Sequence, residues 1–399
     1  MKRRDFINLV AAAGIPAFLP GKSVETASRN KGLSSELDGH TISDIQFTDV
    51  ALRYPRQVGK NSRLGIHGMG PTVAVAVLKT DRGASGWGMV RGPKRAVRFA
   101  SYLKDKTVAE LIDPRTGITD RKAMPFDISL HDLAGVILEK PVYELMGRTE
   151  PMITNCYSGM IYFDDLEPEG NPAGIDRILE ECQYDYELGY RQFKLKIGRG
   201  NKWMAHDEGL KRDIEVTRLV ASNFPDCDIL VDANNGYNLD DTIAYLEGIG
   251  EIDLFWFEEP FHENRSDYIA LRKWLIENER EVLLADAEFR PKQELLRELY
   301  RRRVLDIHLT DIIGLGFSRW RNLMPELIEM GISASPHGWG SLFKTYYISH
   351  LAAAYGNTPT IEGVTCSSDD VDFGNYKLEE GKIMPSPEPG FGMKLLKKP

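Results

Sequence analysis

In the second half of the chain, ionisable side chains recur in short motifs that share one position, at the end of an apolar run. Phe193-Lys194-Leu195-Lys196 brings two ammonium groups two residues apart, and Val231-Asp232-Ala233-Asn234 sets a carboxylate two residues before an amide. Trp256-Phe257-Glu258-Glu259-Pro260, Ala285-Asp286-Ala287-Glu288 and Leu309-Thr310-Asp311 supply further acids. Ser335-Pro336-His337 and Thr360-Ile361-Glu362 complete the set. Asp232, Glu258 and Glu288 would form an all-oxygen ligand set, and hard oxygen donors suit Mg²⁺, which keeps positions for water or substrate. Either Asp286 or Glu288 can be the third ligand, with Glu288 favoured as the one nearer the end of its run. Only one of Glu258 and Glu259 can point the same way as the others. Lys194 and Lys196 share a face, and neighbouring cations disfavour each other's charge. Lys196 is therefore expected to be partly neutral and able to take a proton. His337 is a second candidate base, with Asp311 holding its imidazole in one tautomer.

Such motifs need a scaffold that gathers strand ends. From about residue 153 the pattern alternates strand and helix, with expected strands at 153–157, 192–197, 227–233, 253–258, 282–287, 305–310, 332–335 and 358–362. Amphipathic stretches such as 206–222 and 266–278 lie between them. Gly189, Gly331 and Gly356 stand where helices should end, because glycine accepts the left-handed conformation needed there. Alternating strands and helices imply a parallel sheet, and eight strands can close a barrel whose carboxyl face gathers one group from each strand. An open doubly wound sheet is the alternative, but no GxGxxG or GxxxxGK[ST] follows the first strand. Upstream, residues 41–150 form a separate unit, with strand character at 42–47 and 73–78, a turn at 81–83 and a helix over 126–140. The fold class is thus α/β, a (β/α) barrel preceded by an α+β unit.

These residues resemble the enolase superfamily, and within it the mandelate racemase subgroup. The ordered set Lys-x-Lys, Asp-x-Asn, Glu-Glu-Pro, Glu, Asp and His on successive strands carries the resemblance. So do the stretches 126–135 and 141–147, which look like the family's helical capping segment. The resemblance implies a modified TIM (β/α) barrel over 151–375, a capping domain over 38–150 and a C-terminal segment, 376–399, that returns to the cap. It implies that Asp232, Glu258 and Glu288 bind Mg²⁺ and that the metal holds a substrate carboxylate. Lys196 and the His337–Asp311 dyad would face opposite sides of the substrate's α-carbon. Lys194 and Glu362 would lie near the carboxylate and Asn234 near an α-hydroxyl. His67, in the capping loop Leu64-Gly65-Ile66-His67-Gly68-Met69-Gly70, would help choose the substrate. The implied chemistry is removal of a proton α to a carboxylate. Dehydration of an aldonate or aldarate to a 2-keto-3-deoxy acid is the first expectation, and racemisation, epimerisation or cycloisomerisation the second. A homo-oligomer is also implied. After Asp311 the chain reads Ile312-Ile313-Gly314-Leu315-Gly316-Phe317, where the family usually has a paired glycine.

Composition limits the remaining classes. With 399 residues, 42% apolar and 10% aromatic, the chain can build substantial cores and is not of disordered type. Its 50 basic against 59 acidic residues leave a net charge of −9, and no basic stripe marks a nucleic-acid footprint. Cys156, Cys182, Cys227 and Cys366 lack metal or disulfide spacing. Met1-Lys2-Arg3-Arg4-Asp5-Phe6, followed by an apolar run to Leu19, resembles a twin-arginine export signal in residues 1–37. That run is too short for a permanent membrane span, so a periplasmic or exported protein is expected, and otherwise a cytoplasmic one. Outside the enzymes, an exported sugar-acid binding protein is the competing class. No GxSxG supports a hydrolase.

Overall fold

The computed structural model describes residues 35–288 and 291–399, so the candidate export signal lies outside the described residues. The chain first builds an antiparallel sheet from β1 (Ile42–Ala51), β2 (Thr72–Thr80) and β3 (Ser85–Met89), in that order. The expected turn joins β2 to β3, with Gly83 at φ +84°. Helix α1 (Pro93–Leu103) follows, and then α2 (Asp127–Ile137), which lies directly on β3. The closeness of that approach demands glycine. A Cβ on Gly86 would stand 2.3 Å from the backbone nitrogen of Leu133, and one on Gly88 would stand 2.3 Å from Ile128.

The second unit is the barrel. Its strands are β4 (Thr154–Ile161), β5 (Gln192–Lys196), β6 (Asp228–Asp232), β7 (Leu254–Glu258), β8 (Leu283–Asp286), β9 (Ile307–His308), β10 (Ser333–Ala334) and β11 (Thr360–Gly363). All pair in parallel with their sequence neighbours from β4 to β10, and β11 pairs back onto β4 through Thr360↔Asn155 to Gly363↔Ser158. Between β10 and β11 the circuit is joined by the Ala334 N–H donating to Asn357 O at 3.0 Å and Ser335 Oγ donating to Thr360 O at 2.8 Å. Parallel strands need crossovers, supplied by α3 (Asp176–Glu187), α4 (His206–Asn223), α5 (Leu239–Gly248), α6 (Arg265–Glu277), α7 (Gln293–Arg301), α8 (Phe317–Met330) and α9 (Leu342–Tyr355). Gly331 and Gly356 end α8 and α9 in the left-handed conformation, as expected from sequence. The expected α/β barrel is borne out.

Alternation along each strand divides the side chains. Phe193 and Leu195 pack outward with the helices, whereas Tyr157, Leu230, Trp256, Ala285, Ile307 and Leu309 fill the barrel interior. Above that apolar floor the next inward positions are polar, and the floor closes the site from below. After β11 the chain forms a hairpin, Lys377–Glu379 with Lys382–Met384, that adds to β4. It then runs back to the first unit, where Gly390 exchanges hydrogen bonds with Lys140 and Val142, and Phe391 N–H donates to Asp132 at 2.8 Å. No helix among the described residues is long and apolar enough to cross a membrane.

Candidate active site

The inward residues at the strand ends converge. Asp232 and Glu258 are buried at the ends of β6 and β7, and Glu288 follows β8 with its side chain 21% exposed. One oxygen from each of these three lies within 4.8 Å of the others. Asn234, left-handed at φ +45°, folds back so that its N–H donates to Asp232 Oδ1 at 2.7 Å and its Nδ2 to Oδ2 at 3.1 Å. Asp286 goes elsewhere. It accepts from the Tyr268 hydroxyl and from the Ala287 N–H. Ala287 at φ +95° breaks the strand there, so Asp286 and Glu288 do not share a face as plain alternation would have it. Glu259, left-handed at φ +40°, is buried as well. Burial and the nearby Glu288 and Asp286 push its carboxyl well above the ordinary range.

The donor set fits a hard divalent cation. Glu258 Oε2, Glu288 Oε2 and Asn234 Oδ1 are buried oxygens without a hydrogen-bond partner, and such orphaned acceptors are costly unless a ligand takes them. Burial and the facing Asp232 push Glu258 up to about 8, even with Lys194 and Lys196 opposing. A bound cation would relieve that crowding of acids.

Cations flank the acids on one side. Lys194 Nζ, wholly buried, lies 3.0 Å from Glu362, 3.2 Å from Glu258 and 3.8 Å from Asp232. Burial would lower this ammonium, but Glu258 and Glu362 hold it well above its ordinary value, so it is a fixed charge. Lys196 pairs with Asp232 and lies over the Tyr162 ring, 5.1 Å from its centroid. On the other side, His337 Nδ1 lies 3.3 Å from Asp311, and its Nε2 lies 3.3 Å from Glu288 and 3.6 Å from Glu362. Burial disfavours the imidazolium, but Glu288, Glu362 and Asp311 push His337 up to about 8. Burial likewise opposes ionisation of Glu362, yet Lys194, His337 and Lys196 hold it at about 2. In that form Glu362 accepts hydrogen bonds, including one from Gly338 N–H at 2.8 Å. Donating one to a substrate carboxylate would need its protonated form.

Asp311 caps a short helix, Ile312–Leu315, its Oδ1 accepting from Gly314 N–H. The unusual sequence after Asp311 is therefore compatible with the dyad. His67 lies apart from the acids, in an aromatic wall. Its ring is 4.7 Å from Tyr162 and 5.7 Å from Trp339, which in turn is 4.8 Å from Tyr162 and 5.7 Å from Tyr54. Burial, with Lys196 nearby, lowers the His67 pKa although its Nδ1 donates to Gly59 O at 2.8 Å. The neutral ring thus keeps Nε2 as an acceptor. The loop after β5 pins the chain just ahead of His67. Trp203 Nε1 donates to Asn61 O at 2.7 Å, Asn201 Nδ2 to Ser62 O at 2.8 Å, and Ser62 Oγ to Ala233 O at 2.6 Å. Leu64, Ile66 and Met69 remain exposed on the loop. Sequence reasoning missed Tyr162, Trp339 and Lys344, whose Nζ lies 2.7 Å from Asp311. No local spacing ties them to the motifs.

Residues 177–398 match the family described as "Enolase C-terminal domain-like", and the chain belongs to the enolase superfamily. Among solved structures it resembles galacturonate dehydratase from Geobacillus sp., complexed with D-galacturonate and 5-keto-4-deoxy-D-galacturonate. That likeness has a TM-score of 0.83 at 32% identity, over 90% of this chain and 95% of the other. A mandelate racemase/muconate lactonizing protein from Geobacillus sp. Y412MC10, complexed with magnesium/tartrate, gives 0.83 at 31% identity, over 90% and 93%. Among curated relatives, the N-succinyl-L-Arg/Lys racemase of Bacillus cereus is 24% identical over 292 residues, 70% of each chain. D-xylonate dehydratase of Haloferax volcanii is 23% identical over 241 residues, 59% of this chain and 57% of its own. Its relatives are thus enzymes of the superfamily, dehydratases and racemases both.

Proposed function

We propose that this chain removes the proton α to a carboxylate with the help of Mg²⁺, and that the reaction it completes is dehydration of an acid sugar to a 2-keto-3-deoxy acid. One observation carries this reading. Two proton-transfer groups, Lys196 and His337, contact opposite members of the Asp232–Glu258–Glu288 cluster, through Asp232 and Glu288 respectively. Bound by those three acids, Mg²⁺ would supply positive charge to the substrate carboxylate as it takes on a second negative charge. The buried Lys194 adds a fixed positive charge beside it. Lys196, once neutral, takes the α-proton, and the C–H electron pair becomes the C=C of an enediolate. His337, in its protonated form, gives its proton to the β-hydroxyl, which leaves as water with the C–O electron pair. The resulting enol becomes the ketone. Uronates join aldonates and aldarates as candidate substrates, because the Geobacillus relative is bound to one.

Inversion is the second reading, since two bases on opposite sides suit it and racemases stand among the relatives. The test is incubation with aldonates, aldarates and uronates in D₂O with Mg²⁺. A 2-keto acid supports dehydration. Deuterium uptake with inversion and no keto acid supports epimerisation, and binding without turnover supports a capture protein. Turnover that survives Lys196→Met combined with His337→Asn overturns the assigned bases.

A further inference from the structure

Lys344 lies in the first turn of α9, outside every motif that pointed to the site. Its Nζ stands 2.7 Å from Asp311 Oδ2, the same oxygen that His337 Nδ1 approaches at 3.3 Å, and donates to Trp339 O at 2.9 Å. The other Asp311 oxygen accepts from Gly314 N–H at 2.6 Å. Both ends of the carboxylate are thus held by donors other than the histidine. A carboxylate bound only by the imidazole could rotate with it, whereas one clamped at both oxygens presents a fixed acceptor to Nδ1–H. The backbone agrees, since Asp311 and His337 form a parallel bridge and Ile312 N–H donates to His337 O. The lysine also ties this clamp to Trp339, the residue whose ring meets His67 and Tyr162. Its side chain is only 15% exposed, so the stem is held as well as the charge.

We propose that Lys344 is a positioning residue, the third member of the Asp311–His337 pair. It locks the carboxylate, and through it the imidazole, in the orientation that addresses one face of the substrate's α-carbon. Lys196 approaches from β5 and shares no contact with Lys344, so its face is untouched. The inference rests on the proton-abstraction reading above.

Face-resolved exchange tests it. A 2-hydroxy acid lacking a β-hydroxyl cannot lose water. Abstraction leaves the C–H electron pair in the enediolate, the proton passes to the base, and a deuteron from solvent returns. Each enantiomer of such an acid is incubated with the Mg²⁺-loaded enzyme in D₂O and followed by proton NMR. His337→Asn identifies the enantiomer whose α-hydrogen faces the imidazole. Lys344→Met is expected to slow that enantiomer by roughly 10- to 100-fold, the cost of a lost supporting contact. The Lys196-facing enantiomer should stay within about twofold of the parent, which also shows that the variant is folded. Lys344→Arg should restore the affected face, and Asp311→Asn should slow the same face. Equal slowing of both faces, or of neither, overturns the proposal. Absence of exchange on both faces of the parent enzyme overturns the proton-abstraction reading itself, and this proposal with it.

Discussion

Replacing Lys194 by methionine removes the ammonium that three buried carboxylates share, at 3.0, 3.2 and 3.8 Å. Glu362 sets the scale of the loss. Burial would raise its carboxyl, yet Lys194, His337 and Lys196 hold it at about 2 rather than 4.5. At about 1.4 kcal/mol per unit, that depression corresponds to about 3 kcal/mol of folding stability. Removing one partner of a buried ion pair costs about 3–5 kcal/mol by experience with other proteins, so the two scales agree. A carboxyl depressed by folding stabilises the fold above its unfolded pKa and loses that contribution as pH falls toward its folded pKa. Lys194→Met, which removes the largest of the three causes, should therefore unfold more readily than the parent near neutral pH by up to about 3 kcal/mol. The gap should shrink below about pH 4.5 and fall to less than half near about pH 3. Urea titrations of both proteins in chelator, followed by circular dichroism across that range, measure it. A gap under about 1 kcal/mol at neutral pH, or one that persists undiminished in acid, would refute the claim that this ammonium keeps Glu362 ionised.

Three further outcomes are expected. Glu288→Gln should weaken Mg²⁺ binding by about tenfold or more in calorimetry, whereas Asp286→Asn, which faces Tyr268, should leave it within about twofold; the reverse pattern would move the third ligand. Asp132 is buried, accepts the backbone N–H groups of Trp87 and Phe391, and is pushed up by burial to about 7 from 3.8. A carboxyl raised by folding stabilises most in acid and loses that contribution as pH rises through its folded pKa. Melting temperatures of Asp132→Asn should consequently fall less steeply than those of the parent between about pH 4 and about pH 7, and parallel curves would exclude this carboxyl as the source. Trp203→Phe removes the donor to Asn61 O without emptying the ring's space. It should raise KM several-fold with a smaller change in kcat, and an unchanged KM would show that the anchor does not help seat the substrate.

Much of this was legible in the sequence because strand ends, unlike loop residues, have a fixed place in a barrel. Lys194, Asp232, Glu258, His337 and Glu362 each close an apolar run, and the structure brings all of them to one mouth. Alternation failed where its premise of extended backbone failed. At φ +95°, Ala287 turns Asp286 away from the side that Glu288 occupies. The first barrel strand was expected to stop at Tyr157 but runs to Ile161. Gly159 does not break it, and instead makes room for Glu362, whose Oε1 would lie 2.7 Å from a Cβ at that position. Lys344 and Trp339 were invisible because their partners come from other elements. Lys344 meets Asp311 across 33 residues of chain, and no periodicity encodes such a meeting.

The returning tail has a consequence for biosynthesis. Met393 O accepts from Trp87 Nε1 across 306 residues, and Phe391 N–H satisfies Asp132 across 259. The first unit therefore cannot finish its own interior until the segment from Phe391 to Met393 has been made. Barrel strands can pair before that segment is made, but the lid that covers them must wait for it. A nascent chain stalled ahead of residue 385 should carry a protease-resistant barrel beneath a digestible cover. A check on whether the first unit has folded would, in effect, be a check on the segment from Phe391 to Met393.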